Sequence, residues 1–177
     1  MKVPGRGAGR AERSGYDLLG IYLNDHLAGS TGGLELLRRL ADAHRGTSEG
    51  AVLARLEGEV DADREALRAI MRGLGVPERR YKLVAVWAAE KAGRLKANGY
   101  LVRRSPLSGV LELEAMMLGV RGKAALWRVL LELAEQYPRL DRTRVADLLE
   151  RADRQSAEFE ELRAGHAAAA FRRDPVH

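Results

Sequence analysis

Polar residues interrupt apolar stripes at four places in this 177-residue chain. They are His26 with its neighbour Asp25, Asp63 with Glu59 one turn before it, Glu114 with Glu112 nearby, and Gln155. A lone carboxylate taken out of water is costly unless it is paired, hydrogen-bonded or bound to a metal. Groups of this kind at one depth of a helical bundle can satisfy one another or share a divalent ion. Imidazole and carboxylate donors suit iron, manganese or zinc. His26, Glu59, Asp63 and Glu114 are therefore the candidate metal ligands, and Asp25 and Gln155 are further core polar residues. A hydrogen-bonded network with no ion, which sets the register of the bundle, is the other open reading and the commoner solution.

Other chemistry is narrowed by what the chain lacks. It has no cysteine, which excludes disulfides, thiolate metal sites and a cysteine nucleophile. Ser105 precedes Pro106 and reads as a helix cap with no histidine near it in sequence. Gly5, Gly7 and Gly9 follow no strand and match no phosphate-binding loop. His44 falls at the end of the first helix, where a cation complements the macrodipole. His166 lies on the apolar face of an alanine-rich turn and reads as a packing residue, and His177 is terminal. Trp87 and Trp127 have aliphatic neighbours and read as packing anchors. No residue set identifies a reaction, so an enzymatic role is left open.

These residues sit on elements that the composition makes helical. Ala, Leu, Arg and Glu dominate, while aromatic residues make up only 5%, and strand formers are scarce. The chain reads as all-α. Residues 1–15 are Gly- and Arg-rich and predict a basic, flexible tail, with a helical domain over 16–171 and a fraying end over 172–177. A first helix is expected from Ser14–Asp17 to Arg45–Gly46, with Leu19, Tyr22, His26, Leu36, Leu37 and Leu40 on one face. Thr47 and Ser48 are cap residues for a second, which Gly75 and Pro77 close. A short helix over about 81–97 follows. A third long helix begins at Pro106, with Leu107, Leu111, Glu114, Leu118, Leu126, Leu130 and Leu133 as its stripe, and stops before Pro138. Asp141 caps the last helix, whose face is Val145, Leu148, Ala152, Gln155, Phe159, Leu162 and His166. Tight loops within each pair make the partners antiparallel, and a long crossover returns the chain between helices two and three.

This layout resembles the ferritin-like superfamily. The resemblance is carried by Tyr22-Leu23-Asn24-Asp25-His26-Leu27 in the first helix, and by Leu56-Glu57-Gly58-Glu59-Val60-Asp61-Ala62-Asp63 running to Leu74-Gly75-Val76 in the second. It implies a four-helix bundle with a metal centre in its core. The di-iron pattern places a Glu on two helices and a Glu-x-x-His pair on the other two. Here Glu59 is followed by Ala62, and Gln155 by Glu158, with no histidine in either pair. A mononuclear or carboxylate-rich site is the form of metal binding that the resemblance leaves.

Charge supplies a second functional reading. The net charge of +5 is uneven. Between Glu78 and Arg104, eight cations (Arg79, Arg80, Lys82, Lys91, Arg94, Lys96, Arg103 and Arg104) face two acids. Such a segment attracts an acidic partner or nucleic acid, although few aromatics are interleaved and no helix-turn-helix spacing is present. A solvated helix face is the plainer explanation. No apolar run reaches the length of a membrane span, and the basic start at Met1 has no apolar stretch behind it, so a cytoplasmic protein without membrane partners is expected. Wide apolar stripes are compatible with a homodimer, or with an apolar ligand in the core.

Overall fold

The computed structural model describes residues 8–79 and 106–172. Over them it is all-helical: α1 (Ala8–Ala43), α2 (Ser48–Leu74), α3 (Pro106–Leu133) and α4 (Arg142–Ala170). The helix expected over 81–97 and most of the basic segment lie outside the described residues. So does residue 177, with its neighbours from 173 on.

The helix ends follow from local chemistry. Thr47 caps α2 by accepting from the Gly50 amide, and Asp141 caps α4 by accepting from the Arg144 amide. Gly75, with φ of 75°, adopts the left-handed conformation that closes α2, its amide returning to the last turn. Gly46, with φ of 84°, does the same for the α1–α2 turn. One boundary differs from expectation. Helix α1 starts at Ala8, several residues before Ser14, because Ala8, Ala11, Glu12 and Arg13 are helix formers that continue the helix backwards.

Side-chain pairs fix the directions of the helices. Going along α2, Glu49, Arg55, Glu59 and Asp63 meet residues of α4 in reverse order: His166, Glu158, Gln155 and Arg151. These two helices are antiparallel. So are α3 and α4, since Lys123 meets Gln155 and Arg128 meets Asp153. Helix α1 packs on α2 and α3, and α4 on α3 and α2, so α2 and α3 face each other across the diagonal. They run in the same direction. The connection from Leu74 to Pro106 therefore joins opposite ends of a bundle that, at about 1.5 Å per residue, is roughly 40 Å long.

The core is aliphatic, with Leu23, Leu37, Leu53, Leu56, Leu113 and Leu130 fully enclosed around Trp127 and Phe159. The expected face of α4 is the buried one, and α2 buries Leu56, Val60, Asp63 and Leu67, but α1 and α3 keep their expected faces only in part. In α1 Leu19, Leu37 and Leu40 are buried as expected, but in mid-helix Leu23, Asn24 and Leu27 take the buried places, while Tyr22 and His26 lie at the edge. In α3 Leu126 and Leu130 are buried as expected, but the first half is turned: Val110, Leu113, Met117 and Val120 are buried, whereas Leu118 is 66% exposed. Leucines occur all round the first half of α3, so they do not set its phase. The valines and methionines follow the true stripe.

Candidate functional site

The polar centre of the bundle is built from three helices. Glu59 and Asp63, one turn apart on α2, face Arg151 and Gln155, one turn apart on α4, as the i, i+4 geometry requires. Lys123 reaches the same point from α3. Asp63 is 1% exposed and Gln155 fully buried. Arg151 Nε donates to Asp63 Oδ1 across 2.7 Å, and its Nη2 bonds the same oxygen. Lys123 Nζ donates to Asp63 Oδ2 and to Gln155 Oε1, each across 2.5 Å. The Gln155 amide nitrogen donates to Glu59 Oε2 at 3.0 Å and to Asp63 Oδ2 at 3.3 Å. Arg55 donates to the other Glu59 oxygen at 2.8 Å. Every oxygen of both carboxylates is thus engaged.

The electrostatics match the geometry. Burial pulls the Lys123 ammonium below the ordinary lysine range, against the opposing pull of Asp63. Burial alone would raise Glu59, but the bonds from Gln155 and Arg55 outweigh it and hold the carboxyl below its usual range. Lys123 and Arg151 counter Asp63, and Arg55 and Arg154 reach Glu59, so both acids are countered by side-chain cations.

Of the six core polar candidates, the structure brings Glu59, Asp63 and Gln155 together. The rest stand elsewhere. Glu114 is solvent-exposed on α3, because the buried stripe runs through Leu113 and Met117. His26 packs edge-on against Tyr22 with ring centroids 4.6 Å apart. Burial lowers its pKa in spite of Asp25, which is itself exposed. Among the described residues, His26, Glu59, Asp63 and Glu114 do not form a cluster of metal-binding reach. Asn24, missed in the sequence, is the buried polar group of α1. It donates to Gly20 and Pro77 carbonyls at 2.8 and 3.1 Å and accepts from the Arg79 amide at 2.6 Å. Lys123 and Arg151 were also missed. The signal for them was the need of a buried Asp63 for cations at matching depth on facing helices.

A second cluster lies at the end of the bundle where α1 gives way to α2. His44, Glu49 and His166 present one donor atom each, all within 4.8 Å of one another. The tight turn brings the first two together. Gly50 makes that turn possible, since a Cβ there would lie 2.1 Å from the His44 carbonyl oxygen. His166 enters from α4 and packs on Gly109, where a Cβ would come within 2.3 Å of its Nδ1. Read one at a time in the sequence, these histidines were a helix-end cation and a packing residue. Their meeting is a tertiary fact.

No helix among the described residues is long and apolar enough to cross a membrane. Comparisons with protein-family models, curated proteins and solved structures return no match. The reading of function therefore rests on the chemistry of these clusters.

Proposed function

We propose that this chain is a non-catalytic helical-bundle protein of ferritin-like layout that engages an acidic protein partner through its basic segment. The observation that carries the non-catalytic reading is the bridge from Lys123 Nζ to Asp63 and Gln155. An ammonium stands where a divalent ion would neutralise the core acids, and Arg151 closes the other side. Iron, manganese or zinc would have to displace both cations to reach Asp63, and Glu114 is turned away from them. The parallel course of α2 and α3 supports the ferritin-like layout, because a crossover of that kind distinguishes it from an up-down-up-down bundle.

The partner follows from charge. The stretch from Arg79 to Arg104 concentrates positive charge on an otherwise mildly acidic chain, and no helix-turn-helix spacing accompanies it. Fluorescence anisotropy with labelled polyglutamate and with a duplex oligonucleotide, each across a salt series, tests this. Polyglutamate binding that weakens with salt and disappears when Arg79, Arg80 and Lys82 are changed to Glu is expected. Preferential binding of the oligonucleotide would reassign the segment to nucleic acid. Binding of neither probe would remove the proposal.

A further inference from the structure

The geometry points to a zinc-binding site made by His44, Glu49 and His166, which would act as a metal clip on one end of the bundle. Two imidazoles converge on one carboxylate: His166 Nε2 lies 2.6 Å from Glu49 Oε1, and His44 Nε2 lies 3.7 Å from the same oxygen. An ordinary ion pair explains only half of this. One proton on His166 satisfies the short contact, but His44 Nε2 is beyond hydrogen-bond reach of Glu49, and among the described residues no other hydrogen bond holds it.

The orientation of His44 is that of a ligand. Its Nδ1 lies 2.9 Å from the Leu40 carbonyl oxygen. A carbonyl can only accept, so Nδ1 carries a proton, and in the neutral ring the Nε2 lone pair is directed at the cluster. A backbone carbonyl placed behind the ring in this way commonly fixes the tautomer of a metal-bound histidine. Two imidazoles and a carboxylate, without sulfur, suit a borderline cation with tetrahedral preference. Bonds of about 2.0–2.2 Å put tetrahedral ligand atoms roughly 3.3 Å apart. The 2.6 and 3.7 Å separations bracket that spacing. At the two contacts to Glu49, binding needs His166 to part and His44 to close by under about 1 Å each, within the reach of side-chain rotation. The three side chains are 19–27% exposed, so an ion can enter, and water would complete the fourth position.

The consequence is mechanical. The site joins the end of α1, the first turn of α2 and the penultimate turn of α4, against the first turn of α3 at Gly109. One ion would tie the α1–α2 turn to α4, and so one helix pair to the other, at the end of the bundle opposite the α3–α4 loop. A clip of this kind adds stability that grows with the logarithm of zinc concentration above its Kd. It is independent of the central Asp63 network, so neither its success nor its failure bears on the acidic-partner reading.

Zinc titrated into the full chain by calorimetry, with thermal melts and hydrogen exchange alongside, decides the matter. One zinc per chain is expected, with a raised melting temperature and slower exchange in the last two turns of α4. Loss of an orienting partner alone weakens metal sites by about 10–100-fold, so His166→Asn and Glu49→Gln should each weaken binding at least about tenfold. His26→Asn, outside the cluster, should not. Tetrahedral cobalt bands in the visible spectrum should appear with the parent and vanish with His166→Asn. Because both variants keep helix-compatible side chains, circular dichroism establishes that they fold. Zinc affinity unchanged in folded His166→Asn and Glu49→Gln would overturn the proposal. So would no binding by the parent, or half a zinc per chain with dimer formation.

Discussion

Lys123 on α3 and Asp63 on α2 meet across the bundle diagonal, Nζ to Oδ2 at 2.5 Å, although their helices do not pack against each other. The contact joins the first helix pair to the second at the depth where both stripes are otherwise aliphatic. A shift of either pair by one turn would leave an unpaired buried carboxylate, so the contact specifies register more than it adds net stability.

Removing Lys123 should therefore be worse than removing both partners. Lys123→Met leaves Arg151 as the one cation on Asp63, and about 2–3 kcal/mol of unfolding free energy should be lost. The Asp63→Leu/Lys123→Met double variant should lose less than the sum of its singles by about 1 kcal/mol or more. Urea unfolding measures all three variants. Additive losses would show that the pair is not coupled.

Glu114 offers the contrasting case. It lies in solvent on α3, so Glu114→Ala should change stability by less than about 0.5 kcal/mol, whereas Asp63→Ala should cost about 3 kcal/mol by stranding two cations. Equal effects in chemical denaturation would contradict the rotation of the α3 stripe described above.

Acid should weaken the fold through His26. Burial sets its pKa below the ordinary 6.5, while the unfolded chain regains the ordinary value. Between the two values the unfolded state binds the extra proton, so stability is full above that window and falls as pH drops through it. His26→Gln should flatten this part of the stability profile. Glu59, whose carboxyl is also held down, adds a further loss only below the ordinary carboxylate range. Thermal melts of parent and variant between neutral pH and about pH 5 read the difference. Parallel profiles would show that His26 is not the group responsible.

Two glycines of α2 should respond in opposite ways. Gly50→Ala drives a Cβ into the His44 carbonyl, and backbone at that point must move, so a loss of about 1–3 kcal/mol is expected. Gly58 has open space around it in mid-helix, and Gly58→Ala should gain about 0.5–1 kcal/mol. Denaturant midpoints of the two variants on either side of the parent would establish the α1–α2 turn as described.

Much of this organisation is legible along the chain. Thr47, Gly75, Pro106 and Asp141 mark helix ends because caps and left-handed closures are settled by a few neighbouring residues. The faces of α2 and α4 are legible as well, since Leu56, Val60, Leu67 and Val145, Leu148, Phe159 repeat with one unambiguous phase. The phase of α1 and α3 was not. Helix α1 carries one stripe through Tyr22 and His26 and another through Leu23 and Leu27, and only packing on α2 and α3 chooses between them. The same ambiguity placed Glu114 inside and left Lys123 unnoticed.

Local sequence alone determined that this chain forms helices, where they stop, and that Asp63 and Gln155 fall on buried faces, because each depends on residues within a turn or two. Tertiary structure decided what those residues meet. Lys123 lies 60 residues from Asp63, Arg151 lies 88 residues away, and Glu49 is separated from His166 by 117. No periodicity records which helices become neighbours or at what height. A buried carboxylate demands a cation, but only the packing of α3 and α4 supplied a lysine and an arginine to meet it.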